Sequence, residues 1–167
     1  EQRDFILPET GLIKLVAQTD QGRRVILVTK AGHNDGHHSH TDVGTFIVNV
    51  EGESLLPDAG RGYYSKDYFR QARYQNVFNN SYSHSVPCIG GQLQAPGPEF
   101  GGRGQFHGTL VDHGQRDGTK YAVIDFHAAY DVSDLRGARR TLELDTRTGA
   151  VTLTDEFAFA GEPLPVE

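Results

Sequence analysis

Apolar residues along this chain recur at alternate positions or in short β-branched runs bounded by turn residues. The runs "GLIKLVAQ" and "RRVILVTKAG" flank the turn-like "TDQG", and "GTFIVNV" meets "ESLLPDAG" across Glu51-Gly52. Short runs of this kind, punctuated by Gly and Asp, predict two successive hairpins. Near the end, "RRTLELDTRTGAVTLTDEFAFAG" alternates clearly: Leu142 and Leu144 face one way and, after the Thr148-Gly149 turn, so do Val151, Leu153, Phe157 and Phe159. This predicts a third hairpin. "TKYAVIDFHAAY" is more evenly apolar and predicts a strand covered on both faces. Helix signals are scarce; "SKDYFRQARYQNVF" is the only plausible stretch, and it is not expected to form a helix. About ten short strands with no helical crossovers predict an all-β fold, an antiparallel β-sandwich in preference to a barrel. Residues 94–104, "QAPGPEFGGRG", predict one long surface loop.

Composition narrows the setting. A length of 167 residues fits a single domain over 1–167. No apolar run approaches the roughly 20 residues that span a bilayer as a helix. The formal net charge of −6 argues against non-specific nucleic-acid binding, which needs a basic footprint. The single cysteine, Cys88, excludes an internal disulfide and is expected to act as a small hydrophobe. The first residue is Glu1, with no signal-peptide pattern before the first strand, so a processed product or a piece of a larger protein is expected.

The candidate chemistry concentrates in "GHHSHTD", residues 36–42. In an extended segment His38 and His40 point to the same side, and Asp42 continues the series. Imidazole nitrogen suits zinc and other first-row metals, with further ligands drawn from distant parts of the chain. Asp58, which follows a strand expected to be buried and precedes a glycine in "LLPDAG", and His84, just before another strand in "NNSYSHSVP", are candidates. Spacing alone is weak evidence and favours a solvated histidine loop over a metal site. A cupin-like barrel also pairs histidines, but its following glutamate is missing.

The succession "GHHSHTDVGTFIVNVEGESLLPDAGRGYY", "SYSHSVPCIGGQLQ" and "RRTLELD…GAVTLTDEF" resembles the C-terminal β-sandwich domain of the heparinase II/III-like polysaccharide lyases. The resemblance runs from about residue 24 to residue 159, with Ser39, Thr41 and Ser85 departing from the usual neighbours of the motif residues. It implies a zinc ion held by His40, Asp58 and His84, with Asp42 accepting a proton from a ligand imidazole and fixing its tautomer. For His38 it implies a place at the substrate cleft, stabilising charge or assisting proton transfer in β-elimination; a further zinc ligand or a solvated histidine stays open.

The stretch from Arg61 to Tyr74 interleaves Arg61, Lys66, Arg70 and Arg73 with Tyr63, Tyr64, Tyr68 and Tyr74. Such a strip suits a uronate-containing acidic polysaccharide, with Arg70 pairing carboxylates and Tyr64 stacking on sugar rings, or it is an ordinary solvated loop. Arg139 and Arg140 are expected to pair with carboxylates structurally. The resemblance also implies a bacterial periplasmic or secreted parent whose N-terminal helical toroid carries the catalytic tyrosine. The isolated chain is therefore expected to be inactive. Two functions stay open: one wall of a lyase active site, or a non-catalytic carbohydrate-binding or structural module that retains the metal site.

Overall fold

The computed structural model describes residues 3–36, 38–97 and 106–167, so His37 and most of the second half of the expected surface loop lie outside the described residues. The first two hairpins are present. Strand β2 (Leu12–Gln18) pairs antiparallel with β3 (Arg24–Lys30), and β4 (Phe46–Val50) with β5 (Glu53–Leu56). With β1 (Phe5–Leu7) they form a five-stranded sheet in the order β1-β2-β3-β4-β5. The second sheet, β6-β7-β8-β9, holds β6 (Thr109–Arg116), β7 (Thr119–Asp125), β8 (Leu135–Asp145) and β9 (Val151–Phe159). Its β8 and β9 are the third expected hairpin, with Leu142 opposite Leu153 and Leu144 opposite Val151. Two of the turns explain their own sequence. Glu51-Gly52 and Asp117-Gly118 have φ of 55° and 95°, and of 49° and 79°, the paired positive angles that a tight two-residue hairpin loop requires.

The sheets face each other across one core. Ile13, Leu15 and Ala17 of β2 and Val25 and Leu27 of β3 share a cluster with Ala122 and Ile124 of β7 and Leu142 and Leu144 of β8. All are inward positions of a period-two pattern, and each fully buried Leu or Ile contributes roughly 1.5–3 kcal/mol. The fold is therefore an all-β, antiparallel two-sheet sandwich, as its alternation predicts.

Two local expectations change, for β7 and β5, and a third, the absence of an α-helix at residues 65–78, holds. Strand β7 is not covered on both faces: it stops at Asp125, and within it only Ala122 and Ile124 are fully buried, the alternation of a strand with one face on the core. Strand β5 is exposed at all four positions, with Leu55 and Leu56 at 60% and 50%, because it is the sheet edge beyond a register shift at Val48/Asn49. The one helix-like stretch forms two short 3-10 turns, Lys66–Phe69 and Gln71–Gln75, which serve to cross from one sheet to the other.

That crossing, residues 57–108, and the β3–β4 connection, residues 31–45, are stitched together by buried polar side chains. Gln94, which the loop reading places at the surface, is 4% exposed; its Nε2 donates to the Val43 carbonyl at 2.6 Å and its Oε1 accepts from the Val43 amide at 2.9 Å. Asn34 Nδ2 donates to the same Oε1 at 3.1 Å, and Ser81 Oγ donates to the Thr41 carbonyl at 2.9 Å. Irregular backbone buried away from water needs such partners. The consequence is a fixed distance between the two segments that carry the histidines.

Candidate functional site

His40 arrives on the β3–β4 connection, while Asp58, Tyr68 and His84 all come from the long crossing. The structure brings them into one row. His40 Nδ1 lies 3.1 Å from His84 Nε2, His84 Nδ1 lies 2.6 Å from Asp58 Oδ2, and the Tyr68 hydroxyl lies 3.4 Å from His40 Nε2. Asp58 accepts from His84 Nδ1–H; with one proton on each ring, His84 Nε2 then accepts from His40 Nδ1–H and His40 Nε2 accepts from Tyr68. Burial, followed by the neighbouring His84, holds the His40 pKa below its ordinary value and so favours the neutral ring that this row requires. Burial alone would raise Asp58, but hydrogen bonds from His84 and from the Gly60 amide, at 2.8 Å, outweigh it and leave its pKa lowered.

The row lines a shallow cleft of about 240 Å³ on the outer face of the first sheet, floored by Leu12, Val28 and Ile47. A larger groove of about 840 Å³ runs past Ile6, His33, His107 and His113, but none of the convergent residues faces it. The chemistry, not the volume, marks the smaller cleft.

Among the described residues no group of three or more His, Cys, Asp or Glu side chains is spaced to hold a metal as it stands. The donors nonetheless suit zinc. Two imidazole nitrogens bound at about 2.0–2.1 Å in a tetrahedron lie about 3.3 Å apart, close to the 3.1 Å separating His40 Nδ1 and His84 Nε2. Asp58 sits on the far nitrogen of His84, where a carboxylate orients an imidazole and raises its basicity.

The remaining residues of interest are distributed around this row. Asp42 lines the cleft, but its Oδ1 meets Lys30 Nζ at 2.5 Å, and the carboxylate hydrogen-bonded to an imidazole is Asp58. The segment holding His38 is not extended: His38 has φ of 63°, and its ring packs against Phe69 at 5.1 Å, whereas His40 turns to His84. The two histidines therefore do not share a side. Tyr64 is 49% exposed, with the Arg61 guanidinium 4.6 Å from its ring centre, and Arg70 is exposed. Tyr68 and Arg73 of the same strip are buried at 3% and 1%, so they belong to the architecture of the site and not to a surface groove. Sequence reasoning missed the Tyr68 contact to His40. A tyrosine within a basic strip carries no mark of burial, and the contact depends on the path of the crossing.

A two-sheet antiparallel sandwich with a His–His–Asp row on its outer face is the class this structure defines. The chain belongs to the heparinase II/III-like, C-terminal family, whose model matches residues 2–162. Its fold is similar to that of the heparan sulfate lyase HepC from Pedobacter heparinus, with a TM-score of 0.72 at 16% identity, covering 96% of this chain and 23% of that one. It is also similar to a heparinase III, the BT4657 gene product, with a TM-score of 0.69 at 14% identity, covering 98% and 23%. The chain thus spans less than a quarter of the length of these lyases. No curated protein matches it.

Proposed function

We propose that this chain is the zinc-binding sandwich domain of a polysaccharide lyase that cleaves uronic-acid-containing glycans by β-elimination, forming one wall of the cleft beside a helical domain. The observation that carries this reading is the convergence of His40, His84 and Asp58 from two separate connections, in a chain of this family. In the proposal His40 and His84 would bind zinc through their facing nitrogens, and Asp58, in place of the direct ligand role the resemblance implies, orients His84 from its other nitrogen; Asp42 pairs with Lys30 beside the site. Zinc supplies positive charge and a tie between segments. His38, exposed against Phe69, faces the sugar, where it stabilises charge developing on the uronate carboxylate or moves a proton. Tyr64 offers a ring for a pyranose and Arg70 a guanidinium for a carboxylate. A periplasmic or secreted bacterial setting suits that substrate.

Elemental analysis after metal-replete preparation tests the first step, with one zinc per chain expected. A crystal structure should then place His40 Nδ1 and His84 Nε2 at about 2.0–2.1 Å from the ion, with Asp58 still on His84 Nδ1. Because the ligands tie separate connections together, binding couples to folding, and His40→Ala should lower the Tm of the zinc-loaded chain by more than His113→Ala. Zinc-free protein under replete conditions, or equal losses of Tm, would count against the metal.

A further inference from the structure

Ser39 separates the two histidines, and its carbonyl oxygen accepts three hydrogen bonds. Arg73 donates through Nη2 at 2.9 Å and through Nε at 3.2 Å, and the Tyr74 hydroxyl donates at 3.0 Å. A carbonyl has two lone pairs, so three donors mark an oxygen held unusually firmly. Arg73 also reaches the other flank of the site. Its Nη1 donates to the Tyr68 carbonyl at 3.1 Å, and its guanidinium lies 4.8 Å from the centre of the Tyr68 ring, whose hydroxyl meets His40. The arginine is held in turn, because Asn79 Nδ2 donates to its carbonyl at 3.1 Å. Immediately before this carbonyl stands His38 at φ 63°, a left-handed conformation that a side chain with a Cβ adopts at a cost and that its surroundings must hold in place.

We propose that Arg73 is a positioning residue: its guanidinium clamps the Ser39 carbonyl and Tyr68 together, holding the left-handed bend that sets His38 against Phe69 and turns His40 to His84. The clamp contacts no substrate. It acts by fixing the backbone between two site residues, and its consequence for turnover rests on the proposed role of His38.

The test compares Arg73→Gln, Arg73→Lys and Tyr74→Phe. In the isolated chain, NMR backbone carbon shifts of residues 38–40 should leave left-handed values in Arg73→Gln while signals from β2, β3, β7 and β8 stay in place. In the full-length protein carrying this chain, kcat should fall roughly tenfold to a hundredfold, as expected for a displaced reacting group, with KM changed less than about twofold. Arg73→Lys, which keeps the charge and a single donor nitrogen in place of three, should recover part of both. Should Arg73→Gln fail to fold, Tyr74→Phe decides the matter by a smaller displacement of the same signals. Unmoved shifts at His38 in the folded variants overturn the clamp. Displaced shifts with unchanged turnover in both Arg73→Gln and His38→Ala support the clamp and instead remove His38 from the chemistry.

Discussion

Arg140 shows how much one residue carries here. It occupies an inward position of β8 at 4% exposure, forms a two-pronged pair with Asp155 at 2.8 and 2.6 Å, and donates to the Gly44 carbonyl at 2.7 Å and the Ser85 carbonyl at 2.5 Å. Gly44 follows the His40 segment and Ser85 adjoins His84, so one guanidinium fastens both to the second sheet. Removing one partner of a buried pair typically costs 3–5 kcal/mol, and Asp155 keeps 18% exposure, so Arg140→Ala should lower unfolding free energy by about 3 kcal/mol. Arg139→Ala, on the exposed face, should change it by less than about 0.5 kcal/mol. Urea unfolding of the two variants checks the contrast. This much was legible in the sequence, because alternation that puts Leu142 and Leu144 inside puts Arg140 inside as well. The identity of its carboxylate, and its reach to Gly44 and Ser85, were not.

Among the elements, the β8–β9 hairpin turn is defined by Asp145. Its Oδ1 accepts from the Thr148 amide at 2.8 Å and the Arg147 amide at 2.9 Å, and these two bonds, in that order, depress its pKa. A depressed carboxylate contributes stability that is complete above its unfolded pKa of about 3.9 and is lost as pH falls through the lower folded value. Asp145→Ala should therefore lower the urea midpoint at pH 7, and the gap to the parent chain should shrink as the pH is taken below that range. A gap unchanged down to acid would mean that the carboxylate charge does not matter to the turn. The hairpins were legible because each depends on neighbours in sequence: a period of two and a turn residue of the right kind. The failures share a cause in the opposite sense. Whether β5 is buried, or β7 is covered on both faces, depends on what lies across from it, which local pattern does not encode.

For the whole molecule, the chain covers 23% of each lyase chain to which its fold is similar, and the activity of any larger protein is proposed on that footing. Proton abstraction beside a uronate carboxylate and protonation of the leaving oxygen need groups within hydrogen-bond reach of the sugar, and in the proposed function this chain supplies only one side of them. The isolated chain, zinc-loaded, should give no unsaturated uronate product, followed by its absorbance, on a panel of heparin, alginate and related polymers. In the full-length protein His38→Ala should lower turnover strongly with metal content intact. Zinc-dependent turnover by the isolated chain would refute the divided site. The amino-acid sequence by itself determined the sandwich, its hairpins and the inward face of β8, because alternation and turn chemistry act between residues close along the chain. It also marked His40, Asp58 and His84, through motif order. Only the tertiary structure decided that Asp58 holds His84, that Tyr68 meets His40, that Asp42 pairs with Lys30, and that His38 bends away, because each depends on how the 57–108 crossing folds over the β3–β4 connection. That path is set by buried hydrogen bonds from Asn34, Arg73, Ser81 and Gln94, partners up to 61 residues apart in sequence.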